Sequence, residues 1–291
     1  LKEFCEIKNK ITEHVFENYE KPGCYEHLNN IQKLLHKIRY QNLNLNNEEC
    51  KNLHLSSRNS TRVKTLLKGP RYIDYNLFGT VTGRLTTYSE SFPILTVQKE
   101  FRKLLKPHNE WFLSLDYNAA EVRTFIALAG EQQPQEDVHQ WHIKNLIEGG
   151  LTREDAKTRF FAWLYNPEAA DDEFNIYHRE KLLDNWYDQG YIITKFKRRI
   201  PVSKRKALNY LIQSTTADLV MERADSLDTF LEDKKSFISH IVHDEIVVDL
   251  ANDERNLIPE IKEIFANNKL DKFLVNLTCG KNYYDLKELK L

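Results

Sequence analysis

WFLSLDYNAAEVRTFIALAG, Trp111 to Gly130, is the stretch that decides the fold. Trp111 to Tyr117 is short and apolar and reads as a strand, and a helix follows from Asn118. In strand alternation Trp111, Leu113 and Leu115 share one face and Ser114 and Asp116 the other. A carboxylate closing an apolar strand is costly to desolvate without compensation. A hydrogen-bonded turn is one compensator, a metal ion another. Asn118 has the chemistry of an N-cap, with Glu121 where a capping-box acid belongs. Val122, Phe125, Ile126 and Ala129 form the buried stripe, and Gly130 ends the helix.

A second acidic strand end lies far downstream, in HIVHDEIVVDL, His240 to Leu250. Ile241-Val242 and Ile246 to Val248 flank His243-Asp244-Glu245, the pattern of a tight hairpin with acidic residues at its tip. If Asp116 and Asp244 meet, two carboxylates share one site, and divalent cations relieve their repulsion. Such oxygen ligands suit Mg²⁺, which leaves positions for water and substrate phosphates.

The chain has 291 residues and a formal net charge of −1, enough for one large domain or two to three subdomains. Nucleic-acid binders are often basic overall, so any such role here rests on local patches. The four cysteines, Cys5, Cys24, Cys50 and Cys279, form no CxxC pair and fit a reducing compartment rather than a zinc site or disulfide framework. No apolar run reaches membrane-spanning length, and no signal peptide is recognisable. The chain begins at Leu1 rather than Met, which fits a fragment or a processed product.

The first sixty residues read as helical and polar. Phe4, Ile7, Ile11 and Val15 give one amphipathic stripe, and Ile31, Leu34, Leu35 and Ile38 another beyond the Pro22-Gly23 turn. Ser56 to Lys64, SSRNSTRVK, reads as an extended stretch, either a polar linker or a track for a phosphate backbone. Thr82-Gly83-Arg84-Leu85 sits at a turn, where glycine permits tight geometry and Arg84 projects beside it. Phe101 to Lys106 is basic and apolar-interleaved, with Arg102 its most placeable charge.

In LTREDAKTRFFAWLYNP, Leu151 to Pro167, Thr152 can cap a helix and Pro167 stops it. Arg153, Lys157, Phe161 and Tyr165 recur every four residues, a stripe of roughly 18 Å. Two cations and then two aromatics suit a phosphate tail with a flat base; a solvated face with two buried aromatics is the plainer alternative. By themselves His139 and His142 read as ordinary surface histidines. Lys195 to Lys206, KFKRRIPVSKRK, holds seven basic residues and leads into a long helix. Leu208, Leu211, Ile212, Thr215 and Leu219 form its buried stripe, and Arg205, Asn209 and Gln213 align on another face. Such donors suit sequence-tolerant minor-groove contacts, or a buried polar network. A helix at Leu257 to Phe265 and a strand at Phe273 to Thr278 complete the pattern.

TGRL, LDYNAAEVR, R-x₃-K-x₃-F-x₃-Y, RKALNYLIQSTTADL and VHDE, in that order, resemble the motif order of the family A DNA polymerases, the DNA polymerase I and phage replicative group. The resemblance covers about Ser56 to the C-terminus. It implies an α/β (α+β) right-hand polymerase with an antiparallel palm sheet, helical fingers and a reduced helical thumb. Residues 1–62 are then expected to be thumb, 63–130 and 205–291 palm, and 131–204 fingers. It also implies DNA-templated addition of deoxynucleotides to a primer 3′-OH, with primer-template DNA and deoxynucleoside triphosphates as partners. Two Mg²⁺ ions are the expected cofactors, with Mn²⁺ able to substitute, held by Asp116, Asp244 and the Tyr117 carbonyl. Arg153, Lys157 and His139 resemble the triphosphate contacts, with Lys157 also protonating the leaving pyrophosphate. Glu121 resembles the gate against a ribose 2′-OH. Phe161 packs by the incoming sugar and base, and Tyr165 sits near the template base. Arg205, Asn209 and Gln213 resemble minor-groove contacts, Arg84 a backbone contact, and His243 a residue near the primer end. Glu245 stays near the metals without necessarily binding them. A cytoplasmic place in a bacterium or phage-infected cell is the matching expectation, with no membrane partner, and an upstream domain or processivity partner is left open.

The sequence departs from the family at several points. Phe160-Phe161-Ala162 replaces Asn-Phe-Gly, Asn166-Pro167 replaces the Gly after the Tyr, Ser214-Thr215 replaces Gly-Thr, and Asn118 to Ala120 replace Ser-Gln-Ile. Three other readings compete. An inert DNA-binding relative would keep the basic patch. A single-subunit RNA polymerase would share the two aspartates but not the glutamate gate. A metal phosphohydrolase would need further His or Asp ligands on helices.

Overall fold

The computed structural model describes residues 1–46, 48 and 57–291; Cys50 and Ser56 lie outside the described residues. Two helices open the chain, α1 (Lys2–Asn18) and α2 (Tyr25–Arg39). The expected stripe of α2 is buried at Ile31, Leu34, Leu35 and Ile38, but α1 buries nothing, and Phe4, Ile7, Ile11 and Val15 remain exposed. The segment expected to be extended up to Lys64 is instead helix α3 (Ser57–Lys68). Its Val63 and Leu66 pack into the core, so a three-residue apolar spacing outweighs the polar composition around it.

Four two-residue strands follow the same first part of the chain. They pair as β1 (Asn44–Leu45) with β4 (Leu105–Lys106), and β2 (Tyr75–Asn76) with β3 (Thr86–Thr87). Next come β5 (Trp111–Tyr117) and helix α4 (Ala120–Ala129), at the positions the alternation and the apolar stripe predict. Helices α5 (Val138–Asn145), α6 (Arg153–Tyr165) and α7 (Arg179–Trp186) precede a small sheet of β6 (Tyr187–Asp188), β7 (Tyr191–Ile193) and β8 (Arg199–Pro201). Helix α8 (Lys204–Phe230) runs 27 residues, about 40 Å.

The hairpin of β9 (Phe237–Val242) and β10 (Glu245–Leu250), helix α9 (Ile258–Ala266), β11 (Val275–Gly280) and β12 (Lys287–Glu288) complete the chain. The five-stranded sheet has the order β12-β11-β5-β10-β9, and every pairing is antiparallel. β5 is its central strand, buried on both faces except at its ends, Trp111 and Asp116 being only partly covered.

Two apolar clusters carry the fold. The larger gathers the sheet, α2, α9 and the C-terminal half of α8. The smaller gathers α4, α6, α7 and the N-terminal half of α8 around Phe125, Phe160 and Trp163. Helix α8 therefore belongs to both, through Leu208, Leu211 and Ile212 at one end and Leu219, Val220 and Ala224 at the other. Between them Thr216 donates to the Thr124 hydroxyl at 2.9 Å, which locks α8 to α4. Among the described residues, no helix is long and apolar enough to cross a membrane.

Phe125 is fully buried and meets Phe160, Trp163 and Tyr177 edge-on. Phe125→Ala should lower stability by about 3–5 kcal/mol in urea titration, whereas a loss below about 1 kcal/mol would show that the smaller cluster does not hold the helices together.

Candidate active site

The strand register brings the acidic residues together. Asp116 on β5 lies opposite Glu245 on β10 and opposite Asn276 on β11. Val242 pairs with Glu245, so His243 and Asp244 are the whole hairpin loop. His243 has φ +59°, a left-handed conformation that costs a non-glycine residue about 1–3 kcal/mol. Ala119, on the other side, has φ +52° where β5 gives way to α4. Both strained residues line the same cavity, about 310 Å³, as Asp116 and Asp244.

The Asp116 carboxyl is pushed up to about 7 by burial, then by the charges of Asp244 and Glu245, with a hydrogen bond from Asn276 opposing them. Glu245 is already engaged: Ser114 donates to one of its oxygens at 2.5 Å and Tyr283 to the other at 2.7 Å. Glu121 also lines the cavity but is held by Arg84 and Tyr165, which leaves Asp116 and Asp244 as the carboxylates at the sheet end that face it. Among the described residues, no three His, Cys, Asp or Glu side chains converge as a metal cage. Two crowded carboxylates beside an open cavity still fit Mg²⁺, which commonly takes one or two carboxylates and completes its shell with water and phosphate.

The opposite wall is helix α6. Thr152 caps it, accepting from the Asp155 amide, and Asn166 ends it in an extended conformation before Pro167. Its buried face is Ala156, Phe160, Trp163 and Leu164. The four-residue stripe therefore faces elsewhere, and Arg153, Lys157 and Phe161 line the cavity. Phe161 and Tyr165 stack at 5.8 Å and are only partly covered, so the plainer alternative of two buried aromatics is overturned.

Glu121 does not cap α4. The cap position is Ala119, and the Glu121 carboxylate accepts from Arg84 and from the Tyr165 hydroxyl. Nor is Asn118 the cap. Its side-chain oxygen accepts from Arg123 and from the Val138 amide, and its amide donates to Asp137 at 2.8 Å. Asn118 has left the helix because the fully buried Arg123 draws its backbone and side chain inward and also ties down Pro134 and Glu136.

Asp137 is the residue that sequence reasoning missed. It caps α5 through the His139 and Gln140 amides and holds Arg153 with a 2.7 Å ion pair. Burial opposes its ionisation, but hydrogen bonds from Arg153, Asn118 and Gln140 hold its carboxyl below the usual range. The only sequence signal was an acid just before a short helix. His139 and His142, expected at the surface, are both buried. His142 meets the Tyr177 hydroxyl at 2.8 Å. His139 lines the cavity with neither ring nitrogen partnered, and burial depresses it to about 4, so it is neutral near pH 7.

Gln213, Arg84, His243 and Tyr117 also line the cavity. Tyr117 is anchored from below, its hydroxyl donating to the Phe265 carbonyl at 2.6 Å. Arg205, Asn209 and Tyr165 instead line a neighbouring cavity of about 380 Å³. Tyr165 joins the two, since its hydroxyl reaches Glu121.

The raised Asp116 carboxyl has a consequence for stability. An unfolded Asp titrates near 3.9, so the folded state binds this proton more tightly, and its contribution is lost as pH rises through about 7. In EDTA, stability should fall by on the order of 2 kcal/mol between pH 5 and 8, and Asp116→Asn should flatten that slope. An unchanged slope in the variant would contradict the raised Asp116 carboxyl.

No protein-family model matches the chain. A DNA polymerase of Mycobacterium phage D29 is 27% identical over 182 residues, covering 49% of this chain and 29% of that protein. The thermostable DNA polymerase I of Thermus filiformis is 24% identical over 275 residues, covering 76% of this chain and 33% of that protein. The chain thus spans about a third of the length of these relatives. The polymerase domain of Pol1 from M. smegmatis, solved with DNA primer-template and dNTP, superposes with a TM-score of 0.61 at 20% identity, over 79% of this chain and 52% of that one. The structural likeness shows a right-hand polymerase fold, and the weak sequence likeness to DNA polymerases supports a family A polymerase domain.

Proposed function

We propose that the chain catalyses DNA-templated transfer of a deoxynucleotide to a primer 3′-OH. The observation that carries this reading is one cavity lined by Asp116 and Asp244, by Arg153, Lys157 and a buried, unpartnered His139, and by Glu121. The parts divide as residues 1–62 for the thumb, 63–130 and 205–291 for the palm, and 131–204 for the fingers.

The triphosphate lies along α6, with Arg153 and Lys157 as charge-assisted donors and a neutral His139 supplying the hydrogen bond its ring lacks in the protein. Asp137 keeps Arg153 in place for this. Phe161 packs against the sugar and base, and Tyr165 lies near the template base. Glu121, pinned by Tyr165 and Arg84, closes the space a ribose 2′-OH would need. Gln213, Asn209 and Arg205 face the minor groove of the primer-template, Arg84 its backbone and His243 the primer end.

Asp116 and Asp244, with the Tyr117 carbonyl, would hold two Mg²⁺ ions, or Mn²⁺ in their place, which neutralise charge on the attacking and leaving oxygens. The primer 3′-hydroxyl gives up its proton to water as its oxygen bonds to the α-phosphorus and the bond from that phosphorus to pyrophosphate breaks. Lys157 is placed to give the leaving pyrophosphate a proton. Catalysis on this reading is positioning and charge neutralisation, as in other phosphoryl transfers.

Primer extension tests the assignment. Asp116→Ala and Asp244→Ala should each reduce synthesis by roughly a thousandfold or more while primer-template binding persists. Extension at comparable rates would refute the carboxylate roles, and binding without extension by the unaltered chain would favour an inert primer-template binder. Glu121→Ala should let ribonucleotides compete, and unchanged sugar selectivity would mean that Glu121 only anchors Tyr165 and Arg84.

A further inference from the structure

The densest basic stretch of the chain, Lys195 to Lys206, invites a role on the phosphate backbone, yet one of its arginines is turned inward. The Arg198 side chain is 14% exposed. Its Nη1 donates to Asp218 Oδ1 at 2.9 Å and to the Thr82 carbonyl at 3.4 Å, and its Nη2 reaches the Val81 carbonyl at 3.5 Å. Asp218, on α8, is itself only 4% exposed. The guanidinium therefore spans from the long helix to the turn that precedes Arg84.

Gly83 explains why the turn accepts this strut. Its φ is +78°, and a Cβ there would stand 2.0 Å from Arg198 Nη1. The glycine of the TGR sequence is thus needed both for its backbone conformation and for the close approach of a buried guanidinium. The turn is closed by the Gly83 amide donating to the Thr80 carbonyl and the Thr80 hydroxyl donating to the Arg84 carbonyl. Arg84 then emerges into the cavity and meets Glu121. The hairpin that carries Arg198 is fixed from behind, where Phe196 stacks on His27 of α2 at 4.4 Å.

We propose that Arg198, seated on Asp218, is a positioning residue for Arg84, setting the angle at which that side chain enters the nucleotide and primer site. The inference rests on the polymerase reading of the cavity for its functional consequence, but not for its structural one. The planar fork divides these contacts between two nitrogens, Nη1 on Asp218 and Thr82 and Nη2 on Val81, a spread that the single nitrogen of lysine does not reproduce.

Two measurements on the full chain decide it. Hydrogen exchange should be faster at the amides of Val81 to Arg84 in Arg198→Gln and in Asp218→Asn, with β5 and β10 unchanged. Equal protection in the variants and the parent would overturn the proposal, whether or not the chain is active. In single-nucleotide incorporation, Arg198→Gln should lower kcat/KM on the order of tenfold, with less than a twofold further loss in an Arg84→Ala background. The same substitution should multiply in full with Lys157→Ala. Full multiplication in the Arg84→Ala background would overturn it, because Arg198 would then act by some route other than Arg84. An inactive parent chain with faster exchange at the turn would contradict the polymerase reading while leaving the strut intact.

Discussion

Crowding of negative charge at one end of an antiparallel sheet is the constraint on which the rest of the site depends. Asp116 is held by ladders on both sides, Glu245 lies across from it, and Asp244 immediately precedes Glu245 in a two-residue loop. Asp116 and Glu245 cannot retreat without breaking register, because a one-residue slip would unpair the ladders that hold β5 between β10 and β11 and exchange the two packed faces of β5. The fold reduces the problem by engaging Glu245 with Ser114 and Tyr283. Burial, and then the charges of Asp244 and Glu245, raise the Asp116 carboxyl to about 7. A site that has to be relieved by something from outside is what binding of cation and phosphate would use.

The facing wall solves the opposite problem, presenting cations without letting them collapse onto the carboxylates. Asp137 does this for Arg153, holding it by the guanidinium at the edge of the cavity. Helix α8 serves both walls, since its first half packs with α6 and its second half with the sheet. The Asn166-Pro167 departure at the end of α6 is absorbed locally. Beyond Tyr165, Arg179 donates to the carbonyls of Trp163, Asn166, Pro167 and Ala169, which caps α6 where the family has glycine.

What could be read in the sequence were the periodic parts. The strand carrying Asp116 shows two-residue alternation, the hairpin carrying Asp244 shows two apolar runs around an acidic tip, and the α6 stripe shows a four-residue repeat; of these, Asp116, Asp244, Arg153, Lys157 and Phe161 line one cavity, while Tyr165 lines its neighbour. What could not be read depended on contacts made far along the chain. Asn118 has an excellent capping side chain, but a buried Arg123 five residues on takes it. Ser57 to Lys68 is helical because Val63 and Leu66 find a core, which local composition does not reveal. Arg198 looked like one more surface cation until Asp218, twenty positions away, placed it inside.

The measurement that tests the central claim most directly is incorporation of a single labelled deoxynucleotide opposite each of the four template bases, with Mg²⁺ present and the primer-template in excess. The account predicts product only from the complementary pair at each template base. Product independent of the template base, or none from a primer-template that is demonstrably bound, would contradict it.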